Sequence, residues 1–381
     1  MNKRQLESFC QQLIEQLEKT NGLRGFKDWG GLVDSKIPLA CIWVEFHRLP
    51  DDFNQWDLRD ENGWTVAHTA AMHGCLPDDF DQWDLSGNRG WTVAHVAAKY
   101  GHLPEGFDQW ALADNNNWTV AHEAAKRIYA QKEFNPCSSL NEDNDDETQI
   151  QGVEKYKRLF GNFDQWGLAD KSGWTVAHET VQYRHLPEGF TQWNLANDRS
   201  WTVAHVAARY RHLPEGFDQW ALADSSGQTV AHVAAANGNL PKNFDQWGLV
   251  NNTGHTVAHS VIWGGHIPDN FDQWALADSQ GRTVAHTAAL ENRLPESFTQ
   301  WDLKDNKGWT VAHEAATHGH LPEGFTQWAL ADNNGWTVAH EAAYHGSLPE
   351  SFDQLDLTDH NGITVAHALA DHDSYVKIYK D

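Results

Sequence analysis

Cysteine is scarce in this chain: Cys10, Cys41, Cys75 and Cys137 are the only four in 381 residues. None shows the paired spacing of a metal or redox site, so no disulfide framework holds the fold and reduced thiols are expected. Long apolar runs are missing as well. No stretch approaches the ~20 residues that a membrane span needs, and the first residues contain no uninterrupted signal-peptide core. The expectation is a cytoplasmic protein with no membrane partner, although delivery into another cell as an effector would leave the same composition. Positive charge is in deficit, with 28 Lys and Arg against 53 Asp and Glu and a formal net charge of -25. A field this negative opposes approach to a polyanion, which argues against nucleic acid as the partner. Gly-rich phosphate loops, a nucleophile elbow and a cysteine nucleophile with a fitting base are also lacking. Nothing positive supports an enzyme or a cofactor.

What the chain has is one phrase, repeated. Thr-Val-Ala-His occurs eleven times, ending at His68, His95, His122, His178, His205, His232, His259, His286, His313, His340 and His367. Every interval but one is 27 residues; His122 to His178 is 56, a period plus a 29-residue insertion. The threonine suits a helix N-cap, and the histidine stands where a capping box places Glu or Gln, so its imidazole can bond back to the threonine. Alanines come next, then a glycine as the left-handed stop, which predicts a helix of about nine residues. The second half of the period, as in Leu213 to Asp224, places Pro214 and Glu215 at what would be the first turn of a short second helix, with Phe217, Trp220 and Leu222 as its apolar side. Asp224 to Gly227 is a turn signal back to the next threonine.

Leu6, Phe9, Leu13, Ile14 and Leu17 recur at helical spacing between Gln5 and Thr20, which predicts an N-terminal capping helix and connection over 1–27. Pro38-Leu39-Ala40-Cys41 then falls in register with Thr-Val-Ala-His as a degenerate first repeat. About twelve repeats are expected over 28–381, interrupted at about 127–157 by an acidic insertion containing Asn141 to Glu147.

The phrase Thr-Val-Ala-His-x-Ala-Ala-x-x-Gly-His-Leu, preceded by Asp-x-x-Gly-x, resembles the ankyrin repeat, with Thr-Val-Ala-His in place of Thr-Pro-Leu-His. The resemblance covers about 35 to 373 and departs in length, 27 residues against about 33. It implies an all-α, ankyrin-like helical repeat solenoid with hairpin-like turns, acting as a non-catalytic protein-protein interaction scaffold. It also implies a concave face lined by the turn residues and by the two residues before the helix-ending glycine.

Twenty tryptophans carry most of the remaining information. Ten stand at Phe-x-Gln-Trp, from Trp56 to Trp328, and Leu355 at the eleventh copy marks that position as core. A second class sits at the turn: Trp64, Trp91, Trp118, Trp174, Trp201, Trp309 and Trp336. Gln228, His255, Arg282 and Ile363 occupy the same place elsewhere, so this position is not deeply buried. Either an exposed aromatic ridge or a cover over the neighbouring hairpin fits that pattern. The pre-glycine positions vary from copy to copy and are basic and aromatic in repeats three to six. Together these positions select Trp91, Lys99, Tyr100, Trp118, Lys126, Arg127, Trp174, Tyr183, Trp201, Arg209 and Tyr210 as partner-binding residues on a monomer. Two alternatives stay open. His313, His318, His320, His340 and His345 could centre a metal-binding or hydrolytic site, although His-Glu-x-x-x-His is one residue too long for two ligands on one helix face. The tryptophans could instead line a groove for carbohydrate or another small ligand.

Overall fold

The computed structural model describes residues 30–33, 37–46, 49, 52–130, 163–183 and 186–371. Its helices track the repeated phrase. They are α1 (Leu39–Phe46), α2 (Val66–His73), α3 (Val93–Tyr100), α4 (Val120–Ala130), α5 (Val176–Val181), α6 (Val203–Tyr210), α7 (Val230–Ala236), α8 (Val257–Gly264), α9 (Val284–Leu290), α10 (Val311–Thr317), α11 (Val338–Tyr344) and α12 (365–371). The degenerate first repeat folds in register, and its turn becomes a two-residue antiparallel pair, β1 (Leu32–Val33) with β2 (Ile37–Pro38). Elsewhere the hairpin is reduced to an isolated bridge such as Ala277↔Thr283. The expected capping helix at 1–27 lies outside the described residues. So does the insertion beyond Ala130, to which α4 extends.

The short helices from α2 onward have end groups bonded outside the helix, which explains how so few residues stay helical. At α9, Val284 N-H donates to Leu276 O (2.8 Å), Ala285 N-H to Trp274 O (3.0 Å) and Thr287 N-H to Thr283 O (3.3 Å). His286 N-H donates to Thr283 Oγ1 (3.4 Å), and Thr283 N-H donates back to His286 Nδ1 (3.1 Å), closing a capping box. The box recurs at α2, α3 and α5 to α11; at Thr256 the His259 N-H turns to the threonine carbonyl instead (3.0 Å). At the other end, α2, α3 and α8 stop on a left-handed glycine, and α6 stops on Arg211 at φ 65°.

The expected second helix does not form. Two turns replace it: Phe217 N-H bonds to Pro214 O and Leu222 N-H to Gln219 O. Gly216 lies in the first of them at φ 77°, a left-handed conformation that halts a helix as it starts. A 27-residue period has no room to restart one. Packing takes over instead, because the Phe and Trp of this segment interleave edge-to-face from repeat to repeat. The chain divides into two compact units, Met1–Asp198 and Arg199–Asp381. In the first, the ladder runs from Phe53 to Trp193 with ring centroids 4.8 to 5.9 Å apart. In the second, it runs from Phe217 to Phe352 at 4.9 to 5.7 Å. Above the ladder, the alanines of successive helices are fully buried and let the backbones approach closely.

Candidate functional site

The turn tryptophans are placed by the turn itself. Asp114 Oδ1 accepts the N-H groups of Asn116 (2.8 Å) and Trp118 (2.9 Å), and the same bonds recur at Asp170 and Asp332. Each indole then lies on the capping imidazole of its own helix, with centroids 4.6 Å apart for Trp118 and His122 and 4.8 Å for Trp201 and His205. These tryptophans are half-buried: one face packs on histidine and the rest stays accessible. Their backbone carbonyls serve the stack. His68 Nε2 bonds to Trp91 O, His95 Nε2 to Trp118 O and His122 Nε2 to Trp174 O, at 2.9 to 3.0 Å.

That bond sets the histidine tautomer. Nδ1 receives the threonine N-H, so the ring proton sits on Nε2 and is donated to the next repeat. Burial lowers the imidazole pKa, to about 4 at His68, His122 and His259. It also lowers it at His95, His205, His232, His286 and His313.

The helix ends carry the cations. Lys99 Nζ lies 5.3 Å from the Trp91 ring centroid and 5.7 Å from that of Tyr100, and Lys126 Nζ lies 5.9 Å from Trp118. Arg209, Tyr100 and Tyr210 are exposed, and Tyr183 is half-buried. Arg127 reaches back, its Nη1 donating to Lys99 O, so its guanidinium closes the end of α3. In three copies of the second unit the position equivalent to Lys99 is apolar or aromatic: Trp263, Leu290 and Tyr344 are 44%, 37% and 50% exposed. The basic and aromatic pattern of repeats three to six does not extend to them, although column-by-column comparison of the copies picks them out.

The buried glutamates are equally absent from that pattern. Glu123, Glu179, Glu314 and Glu341 are buried immediately after the capping histidine. The indole Nε1 of the turn tryptophan donates to Glu123 (3.1 Å), Glu179 (3.2 Å) and Glu341 (2.8 Å). Burial pushes the Glu179 carboxyl up, opposed by its bonds from Trp174 and Gln182 and by the charge of Lys126. Glu314 is paired with Arg282 at 3.2 Å and His318 at 3.6 Å, and Glu341 with His345 at 3.0 Å. A signal for them is legible, because Glu comes after the histidine only in copies whose turn residue is Trp.

The histidine cluster does not converge. His313 and His340 spend both ring nitrogens on the capping box and the next repeat. His318 and His345 face glutamates of their own helices, and His320 Nδ1 donates to Ala289 O at 2.8 Å. Among the described residues, no three His, Cys, Asp or Glu side chains are grouped to hold a metal ion. Cys41 is buried and Cys75 Sγ donates to His73 O at 3.5 Å, and among the described residues no helix is long and apolar enough to cross a membrane.

No family model and no curated protein matches the chain. Among solved structures, it is similar to the ankyrin repeat domain of Bcl-3, described as a unique member of the IkappaB protein family. The two share 16% identity, with a TM-score of 0.31, over 58% of this chain and 90% of that one. The ankyrin-like plan of the repeat stands on its own geometry: capped helix, left-handed stop and hairpin turn, with the outer helix replaced by the aromatic ladder.

Proposed function

We propose that the chain is a non-catalytic scaffold that binds a protein partner through the turn tryptophans and the helix ends. The observation that carries this reading is the concentration of exposed aromatic and cationic side chains at the variable helix-end positions, Lys99, Tyr100, Lys126, Arg209, Tyr210, Trp263 and Tyr344. The backbone bonds and the buried alanines repeat almost unchanged beneath them. Aromatic anchors beside charge are what a few high-affinity contacts are built from. Both signs of charge lie side by side here, since Lys126 is close in sequence to Glu123 and Arg282 contacts Glu314. Such a mixture suits a protein surface better than a polyanion. The turn residues Trp91, Trp118 and Trp174 in the first unit, and Trp201 in the second, supply half-buried indoles beside the helix ends of their own unit. Tyr183 adds a further ring, and Arg127 contributes by holding the end of α3 beside Lys99.

The test is capture from a native lysate by wild type and by two surface variants. One combines Lys99→Ala, Tyr100→Ala and Lys126→Ala; the other combines Arg209→Ala, Tyr210→Ala, Trp263→Ala and Tyr344→Ala. Both are checked for unchanged helicity. The expected result is a protein retained by wild type and lost by at least one variant. Equal capture by all three overturns this placement of the site.

A further inference from the structure

The second unit contains an open cleft of about 730 Å3 across three successive repeats, lined by Arg282, Trp309, Thr317 and Glu341 among others. Four of its lining side chains are carboxylates, Asp305, Glu314, Asp332 and Glu341, against two cations, Arg282 and Lys307. One cation is already committed. Arg282 Nη2 lies 3.2 Å from Glu314 Oε1, so a guanidinium from one turn sits on the buried carboxylate of the next helix. One period later, Trp309 takes the place of Arg282 and Glu341 that of Glu314. The same carboxylate station there has an indole wall where the previous one has an arginine. Glu341 is also pre-oriented, bonded by Trp336 Nε1 at 2.8 Å and Thr317 Oγ1 at 2.9 Å, with His345 Nε2 at 3.0 Å.

We propose that this cleft binds an arginine side chain from a basic segment of the partner protein. Its guanidinium stacks on Trp309 and bonds to Glu341 as Arg282 bonds to Glu314. Arginine fits better than lysine because a planar fork can lie on an indole and still donate in its own plane. The net charge of -25 draws such a segment in from a distance. This inference rests on the scaffold reading above and specifies the partner's chemistry.

The experiment titrates the full chain with a (Gly-Arg)4 peptide and with its lysine and citrulline counterparts, monitored by calorimetry. The variants are Glu341→Gln, Trp309→Gln and, as a control outside the cleft, Glu350→Gln. Gln228 occupies the position of Trp309 in another repeat, so that substitution suits the fold, and thermal midpoints are measured alongside. The expected result is arginine-peptide binding weakened at least tenfold by Glu341→Gln and by Trp309→Gln, unchanged by Glu350→Gln, and absent for citrulline. Equal weakening by the control, equal binding of the lysine peptide, or no binding to wild type overturns the proposal. If Glu341→Gln still captures a lysate protein that the helix-end variants lose, this inference fails while the scaffold reading stands.

Discussion

Replacing His286 with alanine removes two bonds to backbone groups, from Thr283 N-H to Nδ1 and from Nε2-H to Trp309 O, and the Nδ1 contact with Thr283 Oγ1. Both backbone groups are left inside the stack, at roughly 1 to 3 kcal/mol each. Thr283→Ala removes only the cap and should cost about 1 kcal/mol. Urea denaturation of the two variants should therefore place the His286→Ala midpoint clearly below that of Thr283→Ala. The histidines also set a pH dependence. At His68, His95, His122, His205, His232, His259, His286 and His313 burial depresses the folded pKa, so the unfolded chain binds more protons in acid. Their contribution is fully present above the ordinary histidine value of 6.5 and is lost as pH falls toward about 4, the value at His68, His122 and His259. Protonation puts a hydrogen on Nδ1 facing the threonine N-H, which opens the capping box. Circular dichroism from pH 7 to pH 4 should show helix lost across that window; a helix signal unchanged at pH 4 contradicts it.

Within each repeat, the aromatic ladder takes the place of a helix. Trp274 stands edge-on to Phe271 at 4.9 Å and to Phe298 at 5.7 Å, so its loss affects two repeats. Trp274→Ala should cost about 3 to 5 kcal/mol. Trp274→Leu should cost less, since a leucine keeps part of the buried apolar area that an alanine gives up. Thermal unfolding of the pair ranks them; equal losses would mean that a leucine recovers nothing of what the ring supplies. Gly216 tests the turn. A Cβ there meets nothing within 4 Å, but φ is 77°, so Gly216→Ala should lower stability by about 1 kcal/mol through backbone strain alone.

Over the chain as a unit, a net charge of -25 makes the folded protein repel itself. Salt shortens the range of that repulsion. The thermal midpoint at pH 7.5 should therefore rise as sodium chloride is raised from about 0.05 to about 0.5 M, with a Debye length falling below about 8 Å. A midpoint that falls would mean that surface ion pairs such as Arg282 with Glu314 outweigh the repulsion. The same net charge favours the expected monomer, which light scattering over a hundredfold concentration range can check.

The period, the capping box, the degenerate first copy and the core role of the Phe-x-Gln-Trp tryptophans are all legible in the amino-acid order. They depend on bonds and packing between residues a few places or one period apart, and periodicity records such spacing directly. The conformation after Leu-Pro-Glu is not legible there. The choice between a helix and two turns rests on whether rings from neighbouring repeats can interlock, as Trp274 does with Phe298. Nor does the amino-acid order place Glu314 against Arg282, because that contact depends on side-chain direction across to the next repeat. The second partner of His68 and of His286, 23 residues on at Trp91 and Trp309, is likewise decided by stacking, which brings together groups that no local rule relates.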